Sequence, residues 1–110
     1  MTYPIRTFEH ATIAYVVDGD TLDLVLDLGF SITLKQRFRM LRIDTPERGQ
    51  PGWAEARDHL ANYVGMRVVI QSRKIDKYGR YLCELFVADI NINGEMLALG
   101  LAAPYGEKAQ

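Results

Sequence analysis

From Leu22 to Leu28 every second residue is a leucine, and Asp23, Val25 and Asp27 fill the places between. A period of two belongs to a β-strand with one buried face, because successive side chains on a strand point to opposite sides of the sheet. The same parity carries back to Asp20, which therefore points toward the interior at the mouth of the strand. A lone carboxylate in that position is costly unless it is paired or bound to a metal. Asp20 is thus a candidate site residue as well as a turn residue.

Upstream, Phe8 to Val17 favours a strand, and Asp18-Gly19 is a hairpin-type turn signal. After Gly29, the residues Ile32, Leu34, Phe38 and Met40 hold an even phase that passes to Leu41 and Ile43, a slip that predicts a bulge or a sharp bend. Arg39 has the opposite parity and turns toward the other face. Gly49-Gln50-Pro51-Gly52 is a short loop with Pro51 suited to a first helical turn. Trp53, Ala56, Leu60 and Val64 then recur at helical spacing, and Gly65 marks the stop. Arg67 to Gln71 and Tyr81 to Val87 read as strands on either side of the turn Asp76-Lys77-Tyr78-Gly79-Arg80. Asn93 is the expected N-cap of a short helix ending near Gly100. Three strands, a helix, two strands and a short helix make an α+β chain that is mainly β. The matching architecture is a five-stranded Greek-key barrel of the OB-fold type, with a helix between strands 3 and 4 and a short C-terminal helix.

Phe38 to Glu47 runs as an apolar strand and then changes character, delivering Asp44 and Glu47 on either side of Thr45-Pro46. The proline fixes its own φ and biases the preceding residue away from helix, so a stiff turn presents an acid, a carbonyl and a second acid. Such oxygen ligands suit a hard divalent cation such as Ca²⁺, and a carboxylate left beside a metal can accept a proton from water. The same four residues also serve as a plain loop leading to a helix cap.

At 110 residues the expectation is a single domain, residues 1–110, and 48% hydrophobic with 25% charged residues is a globular composition. The longest apolar run, Met96 to Pro104, is well short of a membrane helix, and Met1 to His10 lacks the apolar segment of an export signal. This predicts a cytoplasmic protein as given, or a secreted one if a signal preceded it. Cys83 stands alone in an apolar strand, which excludes an internal disulfide and a cysteine-built metal site. His10 and His59 have no partners at metal spacing and read as surface residues. A net charge of −1 argues against gripping nucleic acid by bulk electrostatics. Ten of the thirteen cations nevertheless fall in two segments, Lys35, Arg37, Arg39, Arg42 and Arg48, then Arg67, Arg73, Lys74, Lys77 and Arg80. If the fold brings these together, one face attracts phosphate.

Val17-Asp18-Gly19-Asp20-Thr21, Phe38-Arg39 leading into Asp44-Thr45-Pro46-Glu47, and Asp76-Lys77-Tyr78-Gly79-Arg80 together resemble the staphylococcal nuclease (thermonuclease) family, in the family's order and across most of the chain. The resemblance implies a Ca²⁺-dependent endonuclease that hydrolyses phosphodiester bonds of DNA and RNA and leaves 3′-phosphate ends. Asp20 and Asp44 match its metal ligands, with the Thr45 carbonyl as a third. Glu47 matches the residue that positions or deprotonates the attacking water, and Arg39 and Arg80 match the phosphate-binding pair. Lys77 and Tyr78 match contacts to a neighbouring phosphate, and Tyr105 could stack on a base of a single-stranded substrate. Without metal, Arg39 can equally pair with Asp44 or Glu47. The alternative from another class is a catalytically silent module on the same barrel, binding single-stranded nucleic acid or a protein partner. The family's additional final helix has no counterpart before the chain stops, which predicts an uncovered apolar patch and self-association into a homo-oligomer.

Overall fold

The computed structural model describes residues 4–106, except for the side chain of Lys74. The outermost positions of the expected 1–110 domain, and Lys74 in the second basic segment, therefore lie outside the described residues. The elements follow the order β1 (Arg6–Asp18), β2 (Thr21–Asp27), β3 (Thr33–Met40), β4 (Ile43–Asp44), α1 (Trp53–Ala61), β5 (Arg67–Ile75), β6 (Tyr81–Val87), β7 (Ile90–Asn91), α2 (Ile92–Ala98) and β8 (Ala103–Pro104).

Strands β3, β2, β1, β5 and β6 lie side by side in that order, and the sheet closes where β3 pairs in parallel with β6, Phe38 opposite Tyr81 and Met40 opposite Cys83. The other neighbours are antiparallel. The result is a closed, mixed five-stranded barrel of OB type carrying two helices, with α1 between the third and fourth barrel strands as expected. Leu22, Leu24, Ile13, Met40, Ile70 and Leu85 fill the interior, and Leu60 from α1 and Met96 from α2 plug it. Cys83 is buried among them, and loss of solvent pushes its thiol pKa far up, so it is an inert apolar side chain. Among the described residues no helix is long and apolar enough to cross a membrane.

The alternation holds for Leu22, Leu24 and Leu26, but Leu28, Ile32 and Leu34 are exposed, because the β2–β3 hairpin runs beyond the barrel to a tip at Phe30 and Ser31. Val64, expected on the buried stripe of α1, is also exposed, since the α-helix ends at Ala61 and the chain leaves through turns to Gly65. Pro51 lies in the turn ahead of the helix, and Gly52 rather than Pro51 stands at its start. Asn93 is not a cap. Asn91 holds that position, accepting from the Gly94 N–H, while Asn93 is fully buried and takes another role described below. The bend predicted after Met40 is a tight turn through Leu41 and Arg42, with Arg42 at φ 74°.

Gly19 is required by close approach rather than by its backbone angles. A Cβ there would stand 2.6 Å from the Ala56 Cβ and 3.0 Å from the Thr45 Cγ2, where α1 and the Thr45 segment press on the β1–β2 turn. Gly19→Ala is expected to cost about 1–3 kcal/mol, the scale of overpacking a tight core site, in a urea titration. A midpoint equal to that of the unmodified protein would contradict this packing.

His59 is more than a surface residue. Its Nε2 lies 2.8 Å from Glu95 Oε1, and the Tyr63 hydroxyl donates to the same oxygen at 2.7 Å, so the three tie α1 and its following turn to α2. The His59 contact, then the Tyr63 hydroxyl, hold the Glu95 carboxyl below its ordinary value against the opposing effect of burial. Burial and the Glu95 charge push the Tyr63 phenol up to about 12. A depressed carboxyl contributes stability above its unfolded value near 4.5 and loses it as pH falls through the folded value. Glu95→Gln is therefore expected to lower the Tm at pH 7, while the two proteins converge as pH falls below the depressed value of the folded carboxyl. Thermal unfolding against pH checks this, and a constant gap would overturn it.

Candidate active site

Three pieces of chain meet at one end of the barrel. Asp20 ends the β1–β2 turn with its side chain buried as its parity requires, and its backbone carbonyl accepts from the Met40 N–H at 2.8 Å. Its Oδ1 accepts from the Thr21 hydroxyl at 2.9 Å, and its Oδ2 from the Thr45 N–H at 3.0 Å and Arg39 Nη2 at 3.3 Å. Arg39, near the end of β3, is 8% exposed. Its Nη1 donates to the carbonyls of Met40 and Ile43 at 3.1 and 3.0 Å, and its Nη2 also reaches Asp44 Oδ1 at 3.2 Å. Two carboxylates from distant parts of the chain thus converge on a single nitrogen.

The turn at Leu41-Arg42 makes this convergence possible by folding β4 back beside the arginine. Arg42 occupies the left-handed region, which is unfavourable for a residue with a side chain. Its guanidinium is clamped on both oxygens of the buried Glu84, at 2.6 and 2.9 Å, and touches Asn91. The Glu84 hydrogen bond raises the Arg42 pKa, so the guanidinium stays charged. β8 then pairs with β4, Asp44 opposite Ala103, and the Tyr105 N–H donates to the Arg42 carbonyl at 2.9 Å. This lays the Tyr105 ring 4.9 Å from the Arg39 guanidinium carbon.

Arg80 arrives on the turn after β5. Gly79 takes φ 78°, and Asp76 Oδ1 accepts from the Tyr78 and Arg80 N–H groups, both at 2.9 Å, while its Oδ2 accepts from Arg80 Nε at 2.7 Å. Partial burial raises the Asp76 pKa, but these bonds from Arg80 and Tyr78 outweigh it and hold the carboxyl below its ordinary value. The Arg80 side chain is half exposed yet fixed in direction.

A cleft of about 150 Å³ gathers Asp18, Asp20, Arg39, Asp44, Glu47 and Arg80, with Thr45 and Pro46 in its wall. Glu47 is exposed, and no hydrogen bond or ion pair engages its carboxylate among the described residues. Alongside lies a groove of about 160 Å³ lined by Arg39, Lys77, Tyr78, Arg80, Leu82 and Tyr105. The Tyr78 ring is 70% exposed, with Lys77 Nζ at 5.4 Å and the Arg80 guanidinium at 5.3 Å. Asp20, Arg39, Asp44, Thr45, Glu47, Lys77, Tyr78, Arg80 and Tyr105 therefore all lie in the cleft or in the adjoining groove. Sequence reading missed Asp18, which accepts from Trp53 Nε1 at 2.7 Å and pins α1 beside the cleft, and the Arg42–Glu84 clamp. Asp18 was hidden by its turn motif. Glu84 gave no local signal, since its partner lies 42 residues away.

Among the described residues no group of three or more His, Cys, Asp or Glu side chains is placed to hold a metal ion. Two carboxylates do converge, and the Thr45 hydroxyl oxygen beside them is buried without a hydrogen-bond partner. The donors are all oxygens, the set a hard cation takes when carbonyls and waters complete its shell.

The class of protein that this fold and site define is an OB-type barrel whose rim collects paired carboxylates and arginines in one cleft. The model of the family described as staphylococcal nuclease homologue matches residues 37–110, and the chain belongs to that family. A protein named ParB from Escherichia coli is 32% identical over 105 residues, covering 84% of this chain and 55% of that protein. An uncharacterized endonuclease from Haemophilus influenzae is 32% identical over 94 residues, covering 84% of this chain and 51% of that protein. A probable endonuclease LCL3 from Colletotrichum graminicola is 35% identical over 82 residues, covering 64% and 30% respectively. The chain spans about half the length of the first two relatives.

Proposed function

We propose that this domain is a nuclease that hydrolyses phosphodiester bonds of single-stranded DNA and RNA, uses Ca²⁺, and leaves 3′-phosphate ends. The observation that carries this reading is the cleft itself: Asp20 and Asp44 converge on Arg39, while the free carboxylate of Glu47 and the guanidinium of Arg80 line the same small space. The names of two relatives, an endonuclease and a probable endonuclease, agree with it.

In this reading Asp20, Asp44 and the Thr45 carbonyl would hold Ca²⁺, which when bound polarises a phosphoryl oxygen and offsets developing negative charge. Arg39 and Arg80 grip the phosphate. Their planar forks meet two phosphate oxygens at once and strengthen their hold as charge builds on the equatorial oxygens. Glu47 accepts a proton from the water that attacks phosphorus. The bond from phosphorus to the 5′ oxygen breaks, and solvent protonates the departing oxygen. Tyr105 presents a ring face on which an unpaired base stacks, and Lys77 and Tyr78 meet a neighbouring phosphate, which favours a single strand over a duplex.

The test is cleavage of single-stranded DNA with Ca²⁺, with Mg²⁺ and in chelator. Cleavage is expected with Ca²⁺, little with Mg²⁺, because the smaller ion dehydrates reluctantly and demands near-ideal geometry where Ca²⁺ accepts flexible coordination. Full activity in chelator would refute the metal assignment. No cleavage with any divalent ion would refute the nuclease and leave the silent binding module.

A further inference from the structure

Arg39 and Arg80 border a third cavity, of about 180 Å³, and these two arginines also line the tyrosine groove. Thr21, Gln36, Arg37 and Tyr81 line it, and none of these has a part in the reaction above. Arg37 and Arg39 are two residues apart on β3 and share a face, about 7 Å from each other along the strand. That is close to the spacing of consecutive phosphates in an extended single strand.

The Arg37 side chain is 59% exposed, but it is not loose. Asp23, opposite it on β2 and 7% exposed, accepts from Arg37 Nε at 2.7 Å and Nη2 at 3.2 Å. Arg37 Nη1 and the outer N–H of Nη2 have no partner among the described residues, so the guanidinium presents its second fork outward in a fixed direction. Next across the sheet, opposite Asp23 on β1, lies Tyr15, 51% exposed. Simple alternation from Ala11 and Ile13 would bury Tyr15, but an irregularity in the pairing between Ile13 and Tyr15 turns it outward. An oriented cation with an aromatic face beyond it is what a single strand needs to be held by phosphate and base.

We propose that this cavity is a second nucleic-acid subsite, in which Arg37 takes a phosphate adjacent to the one at Arg39 and Arg80 and distinct from the one at Lys77, and Tyr15 stacks the base beyond it. The proposal rests on the reading of the cleft as a nucleic-acid site, and Asp23 serves as a positioning residue that aims Arg37.

The experiment reads binding in chelator, by fluorescence anisotropy of single-stranded oligodeoxynucleotides across a series of salt concentrations. A core oligonucleotide is compared with versions extended at the 5′ or the 3′ end. The unmodified protein is compared with Asp23→Asn/Arg37→Gln, which removes the cation without stranding a buried carboxylate. One of the two extensions is expected to lose its gain in affinity by about five- to tenfold in the variant, with the salt slope shallower by about 0.7, the contribution of one single-strand phosphate. The other extension keeps its gain. With the unmodified protein, a neutral methylphosphonate at the adjacent linkage is expected to cost as much as the variant does, and to cost the variant nothing further. Unchanged slopes, equal loss on both extensions, or additive effects of methylphosphonate and variant would each overturn the subsite. Cleavage plays no part in this measurement, so an inactive but binding protein would refute the nuclease alone.

Discussion

Glu47→Gln is expected to reduce single-turnover cleavage of an oligonucleotide by about 10² or more while leaving Ca²⁺ and oligonucleotide binding in place. The substitution keeps the size of the side chain and removes only its basicity, and positioned acid–base catalysis is worth roughly that factor. The geometry supports the separation, because the Glu47 carboxylate has no protein partner to lose among the described residues, whereas Asp44 is tied to Arg39. Asp44→Asn should instead weaken Ca²⁺ binding itself. Calorimetry of Ca²⁺ binding beside the cleavage assay decides the matter, since equal loss of metal affinity in both variants would collapse the division of roles between the two carboxylates.

The placement of these side chains at one end of the barrel was legible in the sequence because it depends on parity and on a rigid turn. Asp20 shares the phase of Leu22, Leu24 and Leu26, and the barrel interior enforces that phase, so its burial followed from pattern alone. Arg39 opposes Phe38 and Met40, which places it on the outer face beside Asp44. Parity failed where the chain leaves the barrel or breaks its register. Ile32 and Leu34 continue the apolar phase of Phe38 but lie on a hairpin beyond the barrel wall, so no interior exists for them to face. Tyr15 follows Ala11 and Ile13 by twos yet points outward, because the pairing register slips at that point and local spacing carries no mark of it. The closure of β3 on β6 and the two-residue pairing of β4 with β8 are decided by contacts distant in sequence, which no window of residues contains. The second of these closures matters for the site, since it carries Tyr105 to Arg39.

Asn93 is the other instructive failure, and it carries a large expected stability effect. An asparagine before Met96 and Leu97 reads as a helix cap, but Asn91, two residues earlier, is equally suited and takes the position. Released from capping, Asn93 turns inward. Its Oδ1 accepts from the Leu85 N–H at 2.9 Å, and its Nδ2 donates to the carbonyls of Leu41 at 2.8 Å and Cys83 at 3.0 Å. It thereby stitches α2 to β6 and to the turn that precedes β4, in a place that is fully buried. Asn93→Ala would leave a buried N–H unsatisfied, remove a partner from two carbonyls and open a void, for a combined loss of about 3–4 kcal/mol. Asn91→Ala should cost only about 1 kcal/mol for the cap, with some addition from its contact to Glu84. Urea unfolding of both variants provides the comparison. Because the Leu41 carbonyl belongs to the turn that folds β4 back on Arg39, Asn93→Ala is expected to weaken Ca²⁺ binding as well, although Asn93 does not line the cleft. If the two variants are equally stable, Asn93 is not the tie that holds this turn to α2.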